Sequence, residues 1–162
     1  MTPGKQNDIL TPEELMQLSR DYVLEHGGLT ILSLDYVVEN GKMFGESLWW
    51  DRSDGYYICD FSEDEEEGVY YTGLAYDKNN NGNLRFYRFY ENGEEHGLEV
   101  KFYPSGEIKS YGVIIEKWLE GNYYEWYENG MIKRFIKQDK YNHCYEYIEC
   151  DENGNITQHG KA

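Results

Sequence analysis

The chain has 162 residues, with 31 acidic against 15 basic side chains and a formal net charge of −16. That charge opposes direct contact with nucleic-acid phosphates or anionic lipid and favours a basic partner. No apolar run approaches the ~20 residues of a membrane span. MTPGKQNDIL lacks the apolar core of a secretory leader, and three scattered cysteines, Cys59, Cys144 and Cys150, argue against a disulfide framework and for a reducing cytoplasm.

The first predicted element is a helix. Thr11 supplies an N-cap, Pro12 the first helical position and Glu14 the capping-box acid. Leu15, Leu18 and Tyr22, with Met16, Ser19 and Val23, give a face at helical spacing, and His26-Gly27-Gly28 reads as the stop. LTILSLDYVVENG (29–41) is rich in β-formers and ends in Asn40-Gly41, so it predicts a strand and a turn, followed by strands near 42–50 and 55–61.

Charge is concentrated in this first part. Residues 1–72 carry 16 acidic and 4 basic side chains, whereas residues 73–162 carry 15 and 11. Within 46–67 nine acids (Glu46, Asp51, Asp54, Asp60, Glu63, Asp64, Glu65, Glu66, Glu67) face Arg52 alone, and Trp49, Trp50, Tyr56, Tyr57 and Phe61 lie among them. The acids alone suit a solvated loop, and the aromatics alone suit a core. Together they resemble an interface with aromatic anchors and a charged rim. The EDEEEG stretch is expected to protrude between hairpins.

From Gly73 onward the sequence repeats. Gly73, Gly97 and Gly121 stand 24 apart, as do Gly82, Gly106, Gly130 and Gly154. Fixed-period self-similarity marks a repeat architecture. Tyr76, Val100, Tyr124 and Ile148 form one apolar column, and Asp77, Lys101, Glu125 and Glu149 form the charged column beside it. This alternation predicts a half-buried strand. Asn-Gly or Ser-Gly at each second glycine predicts a tight turn, and Leu84, Ile108, Ile132 and Ile156 open the return strand. Tyr124 and Trp126 are expected in the core, with Tyr123, Glu125 and Tyr127 facing outward. Trp118 and Leu119 are expected to pack between units.

GLEVKFYPSGEIK and GNYYEWYENGMIK, within G-x-x-x-x-[FW]-Y-x-[NS]-G-x-[IL]-K, resemble the MORN-repeat variant. Tandem copies of it are similar to the YwqK-like bacterial antitoxin and immunity proteins. The resemblance covers roughly residues 73–162. The first unit departs at Lys78-Asn79 and the last at Cys150-Asp151. It implies a non-catalytic inhibitor that neutralises a cognate toxin domain by occlusion.

Other chemistry is poorly supported. Asp77 to Gly82 matches the opening of a calcium loop, but Arg88 stands where the bidentate Glu belongs. His143, Cys144, Cys150 and His159 lack zinc-ligand spacing. No phosphate-cradling glycine motif and no nucleophile signature appear. The expectation is therefore a mainly β (α+β) chain: an N-terminal helix, then a long antiparallel meander of hairpins with a 24-residue period. Residues 1–72 would form the helix and an acidic, aromatic β region, and 73–162 the repeats, in one continuous unit. The expected role is protein binding in the cytoplasm, without cofactor or metal, to a basic partner such as a toxin domain. The partner contacts are assigned to Trp49, Trp50, Asp51, Asp54, Tyr56, Tyr57, Asp60, Glu63, Asp64, Glu65, Glu66 and Glu67, and to Tyr123, Glu125 and Tyr127. The alternatives are an acidic inhibitor from a mobile element that mimics nucleic-acid charge, a MORN-type scaffold, and an enzyme of unknown type.

Overall fold

The computed structural model describes residues 10–51, 57–138 and 144–161. The chain is mainly β. Among the described residues three short helices precede the strands: α1 (Pro12–Met16), α2 (Arg20–His26) and α3 (Leu34–Asn40). The strands are β1 (Lys42–Met43), β2 (Leu48–Trp50), β3 (Ile58–Asp60), β4 (Val69–Tyr70), β5 (Gly73–Lys78), β6 (Leu84–Glu91), β7 (Glu94–Phe102), β8 (Ile108–Ile115), β9 (Trp118–Trp126), β10 (Ile132–Gln138), β11 (Cys144–Cys150) and β12 (Ile156–Lys161).

Among the described residues nine strands form one sheet in the order β1-β5-β6-β7-β8-β9-β10-β11-β12, and β2-β3-β4 form a second. From β5 to β12 every neighbour is antiparallel and sequential. At β1 the expected meander fails, because β1 pairs with β5 in parallel, with Met43 opposite Tyr76. The turn glycines Gly82, Gly106, Gly130 and Gly154 have φ of 88°, 95°, 89° and 85°, a region in which a side chain is strained. Each lies within a short loop closed by a backbone pair, such as Tyr103 N–H to Glu107 O at 2.9 Å and Tyr127 N–H to Met131 O at 2.9 Å.

The strand pairing explains the sequence columns. One row of cross-strand partners runs Tyr76, Tyr87, Val100, Tyr111, Tyr124, Phe135, Ile148, His159. Most of this row is buried beneath the helices, in a core that also holds Val23 and Val37. The neighbouring row runs Asp77, Phe86, Lys101, Ser110, Glu125, Arg134, Glu149, Gln158 on the opposite face. Tyr124 and Trp126 stack at 5.3 Å with ring planes 8° apart, and both are buried.

Two N-terminal expectations are corrected. The single helix is two. Its capping box is present, with Thr11 and Glu14 exchanging hydrogen bonds. It stops after Met16, and Ser19 begins a new helix. The Leu18 carbonyl leaves the helical pattern to accept the Trp126 indole N–H at 2.7 Å. Docking on the sheet thus competes with helix continuation. The second correction concerns 29–41. Its β-formers sit in α3 instead of a strand. Ser33 Oγ caps the Tyr36 N–H at 3.1 Å, and Val37 is fully buried in the main core. A good cap and one anchoring contact outweigh β propensity here.

Arg20 fastens the helices to the hairpin turns. Its backbone N–H donates to Gly130 O at 3.0 Å. Its guanidinium donates to the carbonyls of Ile108, Tyr127 and Glu128, each at 3.2 Å, and meets Glu107 at 3.3 Å. The side chain is 7 % exposed. The hairpins are also tied to one another. Tyr103 OH donates to Trp126 O at 2.6 Å, and Tyr127 OH to Cys150 O at 2.7 Å, each reaching 23 residues onward.

Candidate protein-binding surface

The small sheet carries the acidic, aromatic region. Leu48 and Ile58 are fully buried and pack with Tyr71, Ala75 and Tyr90 in a second core. Backbone hydrogen bonds attach this sheet to the β6–β7 turn: Ile58 N–H to Gly93 O at 2.9 Å, and Gly93 N–H to Tyr71 O at 2.8 Å. The sheet is thereby fixed to the larger one, so side chains projecting from it are held in place. Trp49 lies opposite Cys59, which lies opposite Tyr70, while Trp50 lies opposite Ile58.

Trp49 and Trp50 project outward, 54 % and 45 % exposed. They line an open groove of about 530 Å³ together with Glu46, Phe61 and Glu65. Trp50 leans on Phe44 with ring centroids 6.2 Å apart. Val69 and Tyr70 on β4 are also exposed, as is Trp118. The expected packing of Trp118 between units does not occur, although Leu119 is half-buried near Gly112.

The acidic residues divide by what their carboxylates do. Glu63, Asp64, Glu65, Glu66 and Glu67 are all exposed on a tight turn before β4. Asp64 organises that turn, its Oδ1 accepting the backbone N–H groups of Glu66 and Glu67 at 3.0 Å each. These N–H donors hold its carboxyl below the usual range. The segment therefore presents its negative charge in one defined place. Asp60 is different. Burial pushes its carboxyl up, but the Lys42 ammonium and the Ser62 N–H more than offset this, leaving it below the ordinary value. It serves as an internal partner for Lys42. Asp51 accepts the Tyr70 hydroxyl at 3.3 Å. Tyr57 packs against the Tyr70 ring at 5.2 Å, with Lys117 over it at 5.5 Å. Asp54 and Tyr56 lie outside the described residues.

Tyr123, Glu125 and Tyr127 sit on the other sheet, on its outer face, and are half-buried. Tyr123 covers Gly112, and its hydroxyl lies 3.3 Å from the Glu125 carboxylate. Burial, then the Glu125 charge, raises the Tyr123 phenol to about 12. Glu125 pairs with Lys133 at 3.4 Å. Tyr127 uses its hydroxyl on the Cys150 carbonyl. The structure thus gives these three residues internal work, in a place separate from the tryptophans.

Sequence reasoning missed a basic groove on the outer face. Arg85, Arg88, Lys101 and Lys109 line about 400 Å³ with Asn79, Phe86, Phe102, Tyr103 and Pro104, and among the described residues no carboxylate lines it. Neighbouring acids balance most of this charge: Glu99 meets Arg88 at 2.5 Å and Asp77 meets Arg85 at 3.2 Å. The signal was present in the basic residues of 85–109, but only strand pairing brings them together. Among the described residues, no group of three or more His, Cys, Asp or Glu side chains is placed to hold a metal, and no helix is long and apolar enough to cross a membrane. Comparison with known proteins found no matching family model, no matching curated protein and no matching solved structure.

Proposed function

We propose that this chain is a non-catalytic, protein-binding inhibitor that works in the cytoplasm as an antitoxin or immunity protein. It would occlude a basic cognate toxin domain. The observation that carries the reading is the small sheet, where two half-exposed tryptophans stand beside an ordered turn of five acidic residues. Large exposed aromatics slow dissociation, and a concentrated opposite charge speeds encounter. The free state of Cys59, Cys144 and Cys150 accords with a reducing compartment. Shared positive φ at Gly82, Gly106, Gly130 and Gly154 supports reading the hairpins as copies of one 24-residue unit. That unit is what the MORN-variant resemblance rests on.

A pull-down from the native host, followed by mass spectrometry, identifies the partner. The expected product is a basic protein. Reversing Glu63, Asp64, Glu65, Glu66 and Glu67 to Lys should then slow association at least tenfold in low salt and flatten its salt dependence. A folded charge-reversal variant that associates at the wild-type rate would exclude this surface.

A further inference from the structure

We propose that the groove beside Trp49 and Trp50 is a receptacle for one arginine side chain of the basic partner; this rests on the protein-binding reading above. Among the described residues the groove is lined by Glu46, Trp49, Trp50, Phe61 and Glu65, each of them aromatic or acidic. That composition suits a single chemistry. An indole face attracts a cation through its quadrupole, and Trp is the strongest of the aromatic residues in this respect. Arginine fits better than lysine, because a planar guanidinium lies flat on an indole while its N–H fork reaches a carboxylate.

The carboxylates are available for that role. Among the described residues, the carboxylates of Glu46 and Glu65 make no hydrogen bond or ion pair, whereas those of Asp51, Asp60 and Asp64 are all engaged. The tryptophans are available too. The chain places its own cations over Tyr71, Phe86, Tyr103, Tyr57 and Tyr127. Among the described residues none lies over Trp49 or Trp50. Pairing of β2 with β3, together with burial of Leu48 between the two tryptophan-bearing and acidic flanks, fixes the groove wall in advance. An entering side chain therefore orders little besides itself.

Calorimetry with an acetylated tetra-arginine peptide tests this, with its tetra-citrulline counterpart as the neutral isostere. The arginine peptide should bind and the citrulline peptide should not. Trp50→Ala and the double variant Glu46→Gln/Glu65→Gln should each weaken binding about tenfold or more. Glu63→Gln/Glu67→Gln removes the same charge outside the groove and should change it by about twofold at most. If both glutamine pairs weaken binding equally and Trp50→Ala does nothing, the acidic field alone acts. The receptacle then falls while the protein-binding reading stands. If the arginine peptide and the basic proteins of the host both fail to bind the native chain, both readings fall.

Discussion

The indole N–H of Trp126 donates to the carbonyl of Leu18 at 2.7 Å, across 108 residues of chain. Two residues on, Arg20 inserts its guanidinium among three carbonyls of the hairpin turns. These contacts hold α1 and α2 on the sheet, and they make Arg20 a structural cation.

Arg20→Met should destabilise the chain by about 2–4 kcal/mol, because the carbonyls of Ile108, Tyr127 and Glu128 lose their donor in a buried place. The Glu107 pair adds little, since that carboxylate is half-exposed. Urea unfolding by circular dichroism measures this. A shift below about 0.5 kcal/mol would contradict the clasp.

Tyr103→Phe and Tyr127→Phe should each cost about 0.5–1.5 kcal/mol, the worth of one hydrogen bond to a backbone carbonyl. Neither should change partner affinity. A large loss of affinity with unchanged stability at Tyr127 would place it in the partner contact, as the sequence assigns it.

Gly106→Val and Gly130→Val should each cost about 1–3 kcal/mol, because a β-branched residue is strained at φ of 95° or 89°. At Gly130 the added Cβ would also stand 3.5 Å from the Arg20 guanidinium, whereas at Gly106 its nearest neighbour is Asn83 at 3.7 Å. Thermal melts check both, and two unchanged curves would remove the turn assignment.

Burial raises the Tyr87 and Tyr123 phenols from 10 to about 12. Below pH 10 both are neutral whether the chain is folded or not. As pH rises from 10 to 12, the unfolded chain ionises first and the folded chain is disfavoured. Stability should therefore fall across this window, and less steeply in Tyr123→Phe. Urea midpoints measured at intervals from pH 8 to pH 12 give the comparison.

Calcium should leave the melting temperature unchanged, despite the Asp77–Gly82 sequence. Asp77 already receives Arg85 at 3.2 Å and the Lys78 N–H at 2.9 Å, and Asn81 Oδ1 receives the Asn83 N–H. Melts in chelator and in millimolar calcium decide this. A stabilisation that saturates with calcium would overturn it.

The hairpins were legible because their signals are local. Asn81-Gly82 and Ser105-Gly106 specify a turn, and Tyr76 beside Asp77 shows which side of the strand is buried. The N-terminal region was less legible because its form is set by partners far along the chain. Nothing near Leu18 announces that Trp126 will take its carbonyl. At α3 a local signal did exist: Ser33 before Leu34-Asp35-Tyr36 is a capping sequence, and the β-branched Val37 and Val38 obscured it. Of the candidate surface, charge and aromatic content could be read. Which acids are engaged could not, because Lys42 reaches Asp60, and Tyr70 reaches Asp51, only after folding.

The clasp at Arg20 also sets an order of events during synthesis. The β strands from Gly73 onward pair with their sequence neighbours and can form as they emerge. α1 and α2 are made before these strands, yet the partners of Arg20, Tyr127 and Glu128, lie 107 and 108 residues later. At ribosomal speeds of about 5–20 residues per second, that delay is roughly 5–20 s. Through it Leu18 and Arg20 lack the Trp126, Tyr127 and Glu128 groups that they bond. Helices made before the hairpins are thus secured only after them, and a chain cut short before Trp126 would lose the anchoring of α1 and α2 as well.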